Sequence, residues 1–423
     1  MTSAEHLRKG WCPGALRPMR SGDGLLVRVR PRAGAFSLSS LRAIATVSAR
    51  FGSGEIDLTN RGNLQIRGVA EETFDNALAA LDEAGLLDAS VEAESVRNVV
   101  VDPLSGLDPA RADIRGLATL LENALVRDRR LWSLPGKFGF SFSGVAAPQV
   151  GGRNADIMVS ADGDCLMISL DGAANIRCEI LRDHIVESAL GLALAFNELK
   201  ENDPGFRRMR DAVARLGVAT LFAMAGLKAP VPSVAERGEH AGRVGLLSHG
   251  DVVFGVGAGL PFGRIVAAQL DLLCDAAAAA NANEIYAGSE RVLVLPSLDS
   301  TRADELLRGA DAAGLITRAG DVRLAMDVCP GSPACKNSST DTRRDAQRFA
   351  DSFGSALRDC SVHISGCEKG CARRAEADFT LVGRGGHYDI IRNGSASSSS
   401  VQETIDADDI GVAISRLILE PTI

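Results

Sequence analysis

Aromatic residues are scarce in this chain, 4% of 423, with two tryptophans and two tyrosines. A surface that stacks on nucleic-acid bases needs aromatic platforms, and this composition does not supply them. Positive charge is also short. Against 46 basic residues stand 54 acidic ones, for a net charge of -8, the opposite of a nucleic-acid footprint; a local basic pocket remains compatible with it. No apolar run reaches the roughly 18 residues of a membrane span, and residues 1–20 carry no apolar stretch of signal-peptide type. The six histidines are scattered and form no two-histidine, one-carboxylate set. No G-x-G-x-x-G follows a strand: Gly255-Val-Gly-Ala-Gly259 has the wrong spacing, and Gly383-Arg-Gly-Gly386 reads as a hairpin turn. No nicotinamide domain is therefore expected. Nine irregularly spaced cysteines do not make a disulfide framework. They fit a reducing, cytoplasmic setting.

Four of those nine stand in two close pairs, Cys329-Pro-Gly-Ser-Pro-Ala-Cys335 and Cys367-Glu-Lys-Gly-Cys371. A set of four thiolates suits an iron–sulfur cluster or zinc. Zinc knuckles place two to four residues between paired ligands. The gap between Cys329 and Cys335 is wider, and its prolines and glycine hold a loop open around a bulky centre. Ser365-x-x-Glu368 resembles a capping box, so a helix start is expected at Cys367, where it would favour an anionic group.

Along the chain, residues 24–30 alternate like a strand, 38–50 have helical spacing, 55–59 and 63–67 read as two strands around Asn60-Arg61-Gly62, and 72–85 as a second helix. That β-α-β-β-α order suggests a ferredoxin-like half-domain. A helix over 112–128, strands near 137–142, 155–159 and 165–170, and helices over 179–200 and 207–226 follow, then a Pro- and charge-rich linker. The pattern then returns. Val252–Val256 matches Leu25–Val29, and helix 264–280 matches 38–50. Ser143-Gly144 through Asp156 aligns without gaps on Ser365-Gly366 through Asp378. In that alignment Val145 stands opposite Cys367 and Gln149 opposite Cys371, so only the second copy carries the cysteines. The expected fold is α+β, a pseudo-two-fold duplicated scaffold. It divides into a ferredoxin-like half-domain at 1–90, a larger α/β domain at 91–235, a second half-domain at 240–318 and a second large domain at 319–423. A site between the copies follows from that arrangement.

The first copy supplies polar candidates for that cleft: Arg61 at a hairpin tip, Gln65 and Arg67 alternating on one strand face, Arg97 at a strand start, and Lys137 after Pro-Gly. Arginine holds carboxylates bidentately, so these residues are read as a substrate-binding pocket for carboxylates. The second copy has Ser289-Glu290 near the place of Arg61, so the fold does not itself demand an arginine there. No catalytic residue can be named. His363 is read as a satisfied strand residue. Cys12 is within reach of the site or packs beside it, and Cys165, Cys178, Cys274 and Cys360 are read as inert.

The two cysteine pairs, the double repeat, Leu58-Thr-Asn-Arg-Gly-Asn-Leu-Gln-Ile-Arg67, Arg97-Asn98-Val99 and Leu134-Pro-Gly-Lys137-Phe138 together resemble the sirohaem sulfite/nitrite reductase superfamily. Within it, the short length and the opening Trp11-Cys12-Pro13-Gly14, with Gly22-Asp-Gly24-Leu-Leu-Val-Arg, look most like the precorrin-3B synthases of aerobic cobalamin biosynthesis. The resemblance implies one [4Fe–4S] cluster on Cys329, Cys335, Cys367 and Cys371. It places Arg61, Arg97 and Lys137 where the reductases hold oxyanion or tetrapyrrole carboxylates. The chain departs from the reductases in having Lys137-Phe-Gly139 for their Lys-x-Lys, and Arg67 for a histidine.

Losing a lysine argues against sulfite reduction and suits a tetrapyrrole that is substrate. The reaction implied is O₂-dependent hydroxylation and lactone formation on precorrin-3A. It would draw electrons from a separate reductase with NADH as ultimate donor, and O₂ activation would involve a mononuclear non-haem iron whose ligands cannot be read. A sirohaem-dependent sulfite or nitrite reductase is the alternative, with sirohaem bound only in that case. A non-catalytic iron–sulfur electron carrier ranks third.

Overall fold

The computed structural model describes residues 12–146, 155–232, 243–297, 299–353 and 360–419. The proposed mate of Cys371, Gln149, and most of the linker lie outside these residues.

Two small antiparallel sheets form the centre. The first runs Met19–Arg20, Leu25–Val29, Leu64–Val69, Glu55–Leu58 and then Arg264–Val266, a strand from the second copy. The other runs Gly245–His249, Val252–Gly259, Val292–Pro296, Glu284–Ala287 and then Ala35–Ser37, a strand from the first copy. Each copy thus lends its partner the strand that leads into its own long helix, Leu38–Phe51 or Ala267–Ala279. Phe36 faces Ile285, and Ile265 faces Ile56. Both lent side chains are buried, so the exchange seals two sheet edges with apolar contacts. The two long helices pack on each other, and one hydrophobic core serves both sheets. Burial of Val27, Ile56 and Ile66 answers that of Val256, Ile285 and Leu295. This slides the expected match of Val252–Val256 on Leu25–Val29 by two residues, because strand alternation fits either register and only the shared core selects one.

The two larger sheets repeat one topology. In the first, strands Val99–Val101, Phe140–Ser143 and Ile157–Asp162 are parallel, and Cys165–Leu170 and Ile176–Ile180 return antiparallel. In the second, Met326–Val328, Val362–Ser365 and Ala377–Arg384 are parallel, and His387–Gly394 and Glu403–Asp406 return antiparallel. Phe140 opposite Ile157 corresponds to Val362 opposite Phe379, the register that the ungapped alignment of the two copies requires. The duplicated α+β reading holds.

Several local expectations change. Residues 176–180 are a strand, and the long helix starts only at Ile185. The helix expected over 207–226 is two, Met209–Leu216 and Val218–Met224, broken at Gly217 with φ 78°, a conformation that favours glycine. The amphipathic helix that the sequence predicts over 405–419 is shorter, Ile410–Leu419, because Glu403–Asp406 pairs as a strand before it. Gly385 and Gly386, with φ 57° and 93°, do make the hairpin turn. No helix among the described residues is long and apolar enough to cross a membrane.

Candidate active site

The second large sheet ends in the cysteine loops. Cys329 follows the strand Met326–Val328, and its amide donates to the carbonyl of Ile364 on the neighbouring strand (3.1 Å). Its carbonyl accepts from the Thr342 hydroxyl (2.7 Å), and the amide of Gly366 donates to its Sγ (3.1 Å). An N–H aimed at a buried sulfur stabilises a thiolate rather than a thiol. The expected helix start at Cys367 is absent: residues 366–376 form turns and bends. There the Ser365 hydroxyl donates to the Cys367 carbonyl (2.7 Å), and Gly370 with φ 58° turns the chain back. The capping box is therefore not formed, because Ser365 ends a strand instead of opening a helix.

The four thiols share one electrostatic environment. Burial pushes Cys371 up to about 11, Lys369 opposes this, and the other three cysteines push further. Cys367 is raised by burial and by Cys335 and Cys329. Cys329 is buried, whereas Cys371 has neighbours that desolvate its thiol yet keeps exposed surface, so the cradle is closed on one side and open on the other. Among the described residues, no three His, Cys, Asp or Glu side chains are gathered closely enough for a single metal ion, these cysteines included. A cubane carries its thiolates at the corners of a wider tetrahedron than one ion does. The donor set, the mutual influence of the thiols and the Gly366 amide fit such a cluster. No triad for a mononuclear non-haem iron is present among the described residues.

In the first copy the same position is filled. Asp102 stands where Cys329 does, its amide donating to the Phe142 carbonyl (2.9 Å). Its carboxylate is fully buried and accepts from Arg111 Nη1 (2.6 Å), while Arg111 Nε reaches Asp108 (3.0 Å). An ion pair occupies in one half the place a thiolate takes in the other.

Above the cradle, the first small sheet turns a polar face outward. Arg28 Nη2 donates to Gln65 Oε1 (2.9 Å), and Arg61 Nη2 donates to the Lys137 carbonyl (2.9 Å). Gln65 thus sits with Arg28, and Arg61 sits with the backbone of Lys137; the two pairs are neighbours, since the Arg61 charge acts on Arg28. Cys12 adjoins them, lying against Gly136 and beside Arg28, Arg30 and Arg61. Burial, then Arg30 and Arg61, pull the Arg28 guanidinium down to about 10, against the raising effect of Cys12. Arg61 is lowered by burial and by Arg208 and Arg374, and Arg374 lies three residues past Cys371. Arg28 Nε has no hydrogen-bond partner among the described residues. Partly buried guanidiniums lowered by desolvation, and further by neighbouring guanidiniums, favour an anion in their midst.

Arg67 and Arg97 are not part of this surface. Arg67, 1% exposed, is held by Asp23 (2.8 Å) and Asp57 (3.2 Å). Arg97, 2% exposed, donates to Asp88 (2.9 Å) and to the Pro31 carbonyl (2.8 Å). A guanidinium with its whole fork engaged by internal acceptors has no edge for a ligand, so both leave the set of substrate residues. His363 is also corrected. It sits in its strand, but both ring nitrogens lack a partner among the described residues, and burial pulls it down to about 4. Cys274 is buried and pushed up to about 12, an inert thiol as expected.

Sequence reasoning passed over Arg28 and Arg30. The signal was present: in the corrected register their counterparts are Gly257 and Gly259, and those of Asp57, Gln65 and Arg67 are Tyr286, Val294 and Pro296. One copy keeps a charged outer face where the other is apolar.

This duplicated scaffold with a single cysteine cradle is of the nitrite/sulfite reductase class. Residues 17–84 match the nitrite/sulfite reductase ferredoxin-like half domain. The fold superposes on the solved structure of the Mycobacterium tuberculosis NirA protein with a TM-score of 0.75, over 93% of this chain and 80% of that one at 20% identity. A sulfite reductase [ferredoxin] of M. tuberculosis is 25% identical over 85% of this chain and 70% of its own length. A precorrin-3B synthase of Sinorhizobium sp. is 31% identical over 97% of this chain and 88% of its own length. The chain belongs to the precorrin-3B synthase family of the nitrite/sulfite reductase superfamily.

Proposed function

We propose that the chain is an oxygenase of cobalamin biosynthesis, converting precorrin-3A to its hydroxylated lactone. The observation that carries this reading is a partly buried basic face on which Arg28 bonds Gln65 and Arg61 bonds the Lys137 backbone, and where repulsion from neighbouring guanidiniums, Arg30 and Arg61 on Arg28 and Arg208 and Arg374 on Arg61, adds to burial in lowering both. A carboxylate-bearing macrocycle relieves that repulsion. Arg28, Arg61 and the Lys137 side chain would hold its acetate and propionate arms, with Gln65 orienting Arg28. Cys329, Cys335, Cys367 and Cys371 would hold a [4Fe–4S] cluster, which when bound supplies electrons singly. In the overall reaction one atom of O₂ enters the macrocycle and the other leaves as water, using two electrons and two protons. The entering oxygen adds across a C=C bond of the macrocycle, and a ring-A acetate carboxylate attacks the carbon of one of the two new C–O bonds, which breaks to leave a hydroxyl on one carbon and the lactone on the other.

The test is anaerobic mixing of the purified chain with precorrin-3A, then O₂ and a reductase with NADH. Stoichiometric O₂ uptake with product formation is expected, and weak turnover when the reductase is withheld. No O₂ uptake overturns the oxygenase reading. A strong red absorption band in the protein as purified would favour the sirohaem reductase instead. Arg28→Met and Arg61→Met should each weaken tetrapyrrole binding by about 10- to 100-fold, the scale of one charge-assisted contact.

A further inference from the structure

The carbonyl of Ala334, one residue before Cys335, is held by three donors from the far end of the sequence. The Ser21 hydroxyl reaches it at 2.7 Å, Arg67 Nη2 at 3.0 Å and the Gly22 amide at 3.2 Å. Contact here is tight: a Cβ on Gly22 would lie 2.5 Å from the Pro333 carbonyl oxygen. Arg67 is itself fixed from behind. Its Nε and Nη2 engage Asp23 (2.8 and 3.1 Å), and its Nη1 engages Asp57 (3.2 Å).

Asp57 is a hub. It also accepts from Arg264 Nε of the second small unit (2.8 Å) and from Arg343 Nη1 (2.9 Å). Arg343 follows Thr342, whose hydroxyl holds the Cys329 carbonyl (2.7 Å). One buried carboxylate therefore ties three units together, and both cysteines of the wide loop are reached through it. The pseudo-symmetric positions, Tyr286 for Asp57 and Pro296 for Arg67, carry no such ion pairs; Tyr286 accepts a single hydrogen bond from Arg115 of the first large domain, which has no cradle. The fold alone does not require the network.

We propose that Arg67, seated on Asp57, is a positioning residue for the cysteine cradle: the first half-domain clamps the Cys329–Cys335 loop in the geometry that retains its cluster. The clamp rests on the reading of the four cysteines as cluster ligands. It gives Arg67 a role distinct from that of Arg61 and Arg28. A lysine at this position keeps the charge but cannot span Asp23, Asp57 and Ala334 with one ammonium.

The experiment uses the full chain purified without oxygen, as wild type, Arg67→Lys and Ser21→Ala. Iron and acid-labile sulfide are measured first, and the visible absorbance is then followed as an iron chelator is added. Arg67→Lys should bleach about 10- to 100-fold faster than wild type, the scale for residues that orient metal ligands. Ser21→Ala, which removes one donor and leaves the ion pairs, should fall between them with unchanged circular dichroism. If Arg67→Lys does not fold, Ser21→Ala decides. Bleaching of the folded variants at the wild-type rate overturns the clamp and leaves the cluster reading standing. A wild-type chain holding neither iron nor sulfide overturns both.

Discussion

Gly366 offers the sharpest test of how the cradle is built. Its amide donates to Cys329 Sγ at 3.1 Å, and a Cβ added there would stand 2.0 Å from Ser338 Oγ and 2.5 Å from Ser338 Cβ. The overlap with Oγ alone could be relieved by a rotamer change, but the overlap with Cβ cannot. Either residue 366 or the Ser338 turn must move. Ser338 is anchored, its hydroxyl donating to the Thr340 carbonyl (2.8 Å) and its amide to the Cys335 carbonyl (3.0 Å).

Gly366→Ala should therefore cost about 1–3 kcal/mol as overpacking. A further ~1 kcal/mol is expected from loss of the N–H···S bond. If the four cysteines hold the proposed cluster, that lost donor would also leave its reduced, more negative form less stabilised, and its reduction potential should shift downward. Thermal melting and an EPR-monitored redox titration read the two effects separately. Removing the obstacle supplies the control. In Ser338→Gly/Gly366→Ala the nearest remaining Ser338 atom, Cα, is at 3.4 Å, an ordinary contact, and both the potential and most of the stability should return. A Gly366→Ala chain that melts and titrates like wild type would refute the reasoning, as would a double variant no better than the single.

Two further outcomes concern buried titratable groups. Glu122 is raised by burial from 4.5 to about 7, although Arg97 and the Ala33 amide favour its charged form. Because the folded state holds the proton more tightly than the unfolded one, this group lowers stability as pH rises from about 4.5 to 7. The span is about 3 kcal/mol, and Glu122→Gln should flatten that part of a denaturant-midpoint profile; an unchanged slope would contradict it. His363, pulled down from 6.5 to about 4 by burial, acts on the acid side. Its unfolded form takes up a proton first, so stability falls as pH drops from 6.5 toward 4. His363→Leu should remove that fall and, since no partner among the described residues is lost, leave the melting temperature at pH 7 equal or higher. A loss of several degrees at pH 7 would mean that the imidazole is satisfied.

By itself the sequence carried the duplication, the single cysteine-bearing copy and the reductase-like scaffold, because these rest on periodicity and spacing, which are local. It also brought Arg61, Gln65 and Lys137 to notice; in the structure Gln65 bonds Arg28, and Arg61 bonds the Lys137 backbone. The tertiary structure decided which charges face the cleft. Strand alternation says that Arg28, Asp57, Gln65 and Arg67 share the face away from the core, but not what lies across from it. Arg67 meets Asp23 and Ala334, Arg97 meets Asp88 and Pro31, and Arg28 keeps an unpartnered nitrogen. Those partners are set by tertiary packing, across separations that run from 9 residues for Asp88 to 267 for Ala334. The lending of Ala35–Ser37 and Arg264–Val266 between sheets was likewise invisible, since a three-residue strand reads the same whichever edge it joins. The occupation of the Cys329 position by Asp102 and Arg111 in the first copy needed the superposed sheets to be seen, because a carboxylate and a thiolate share no sequence signal, only a place beside the same backbone.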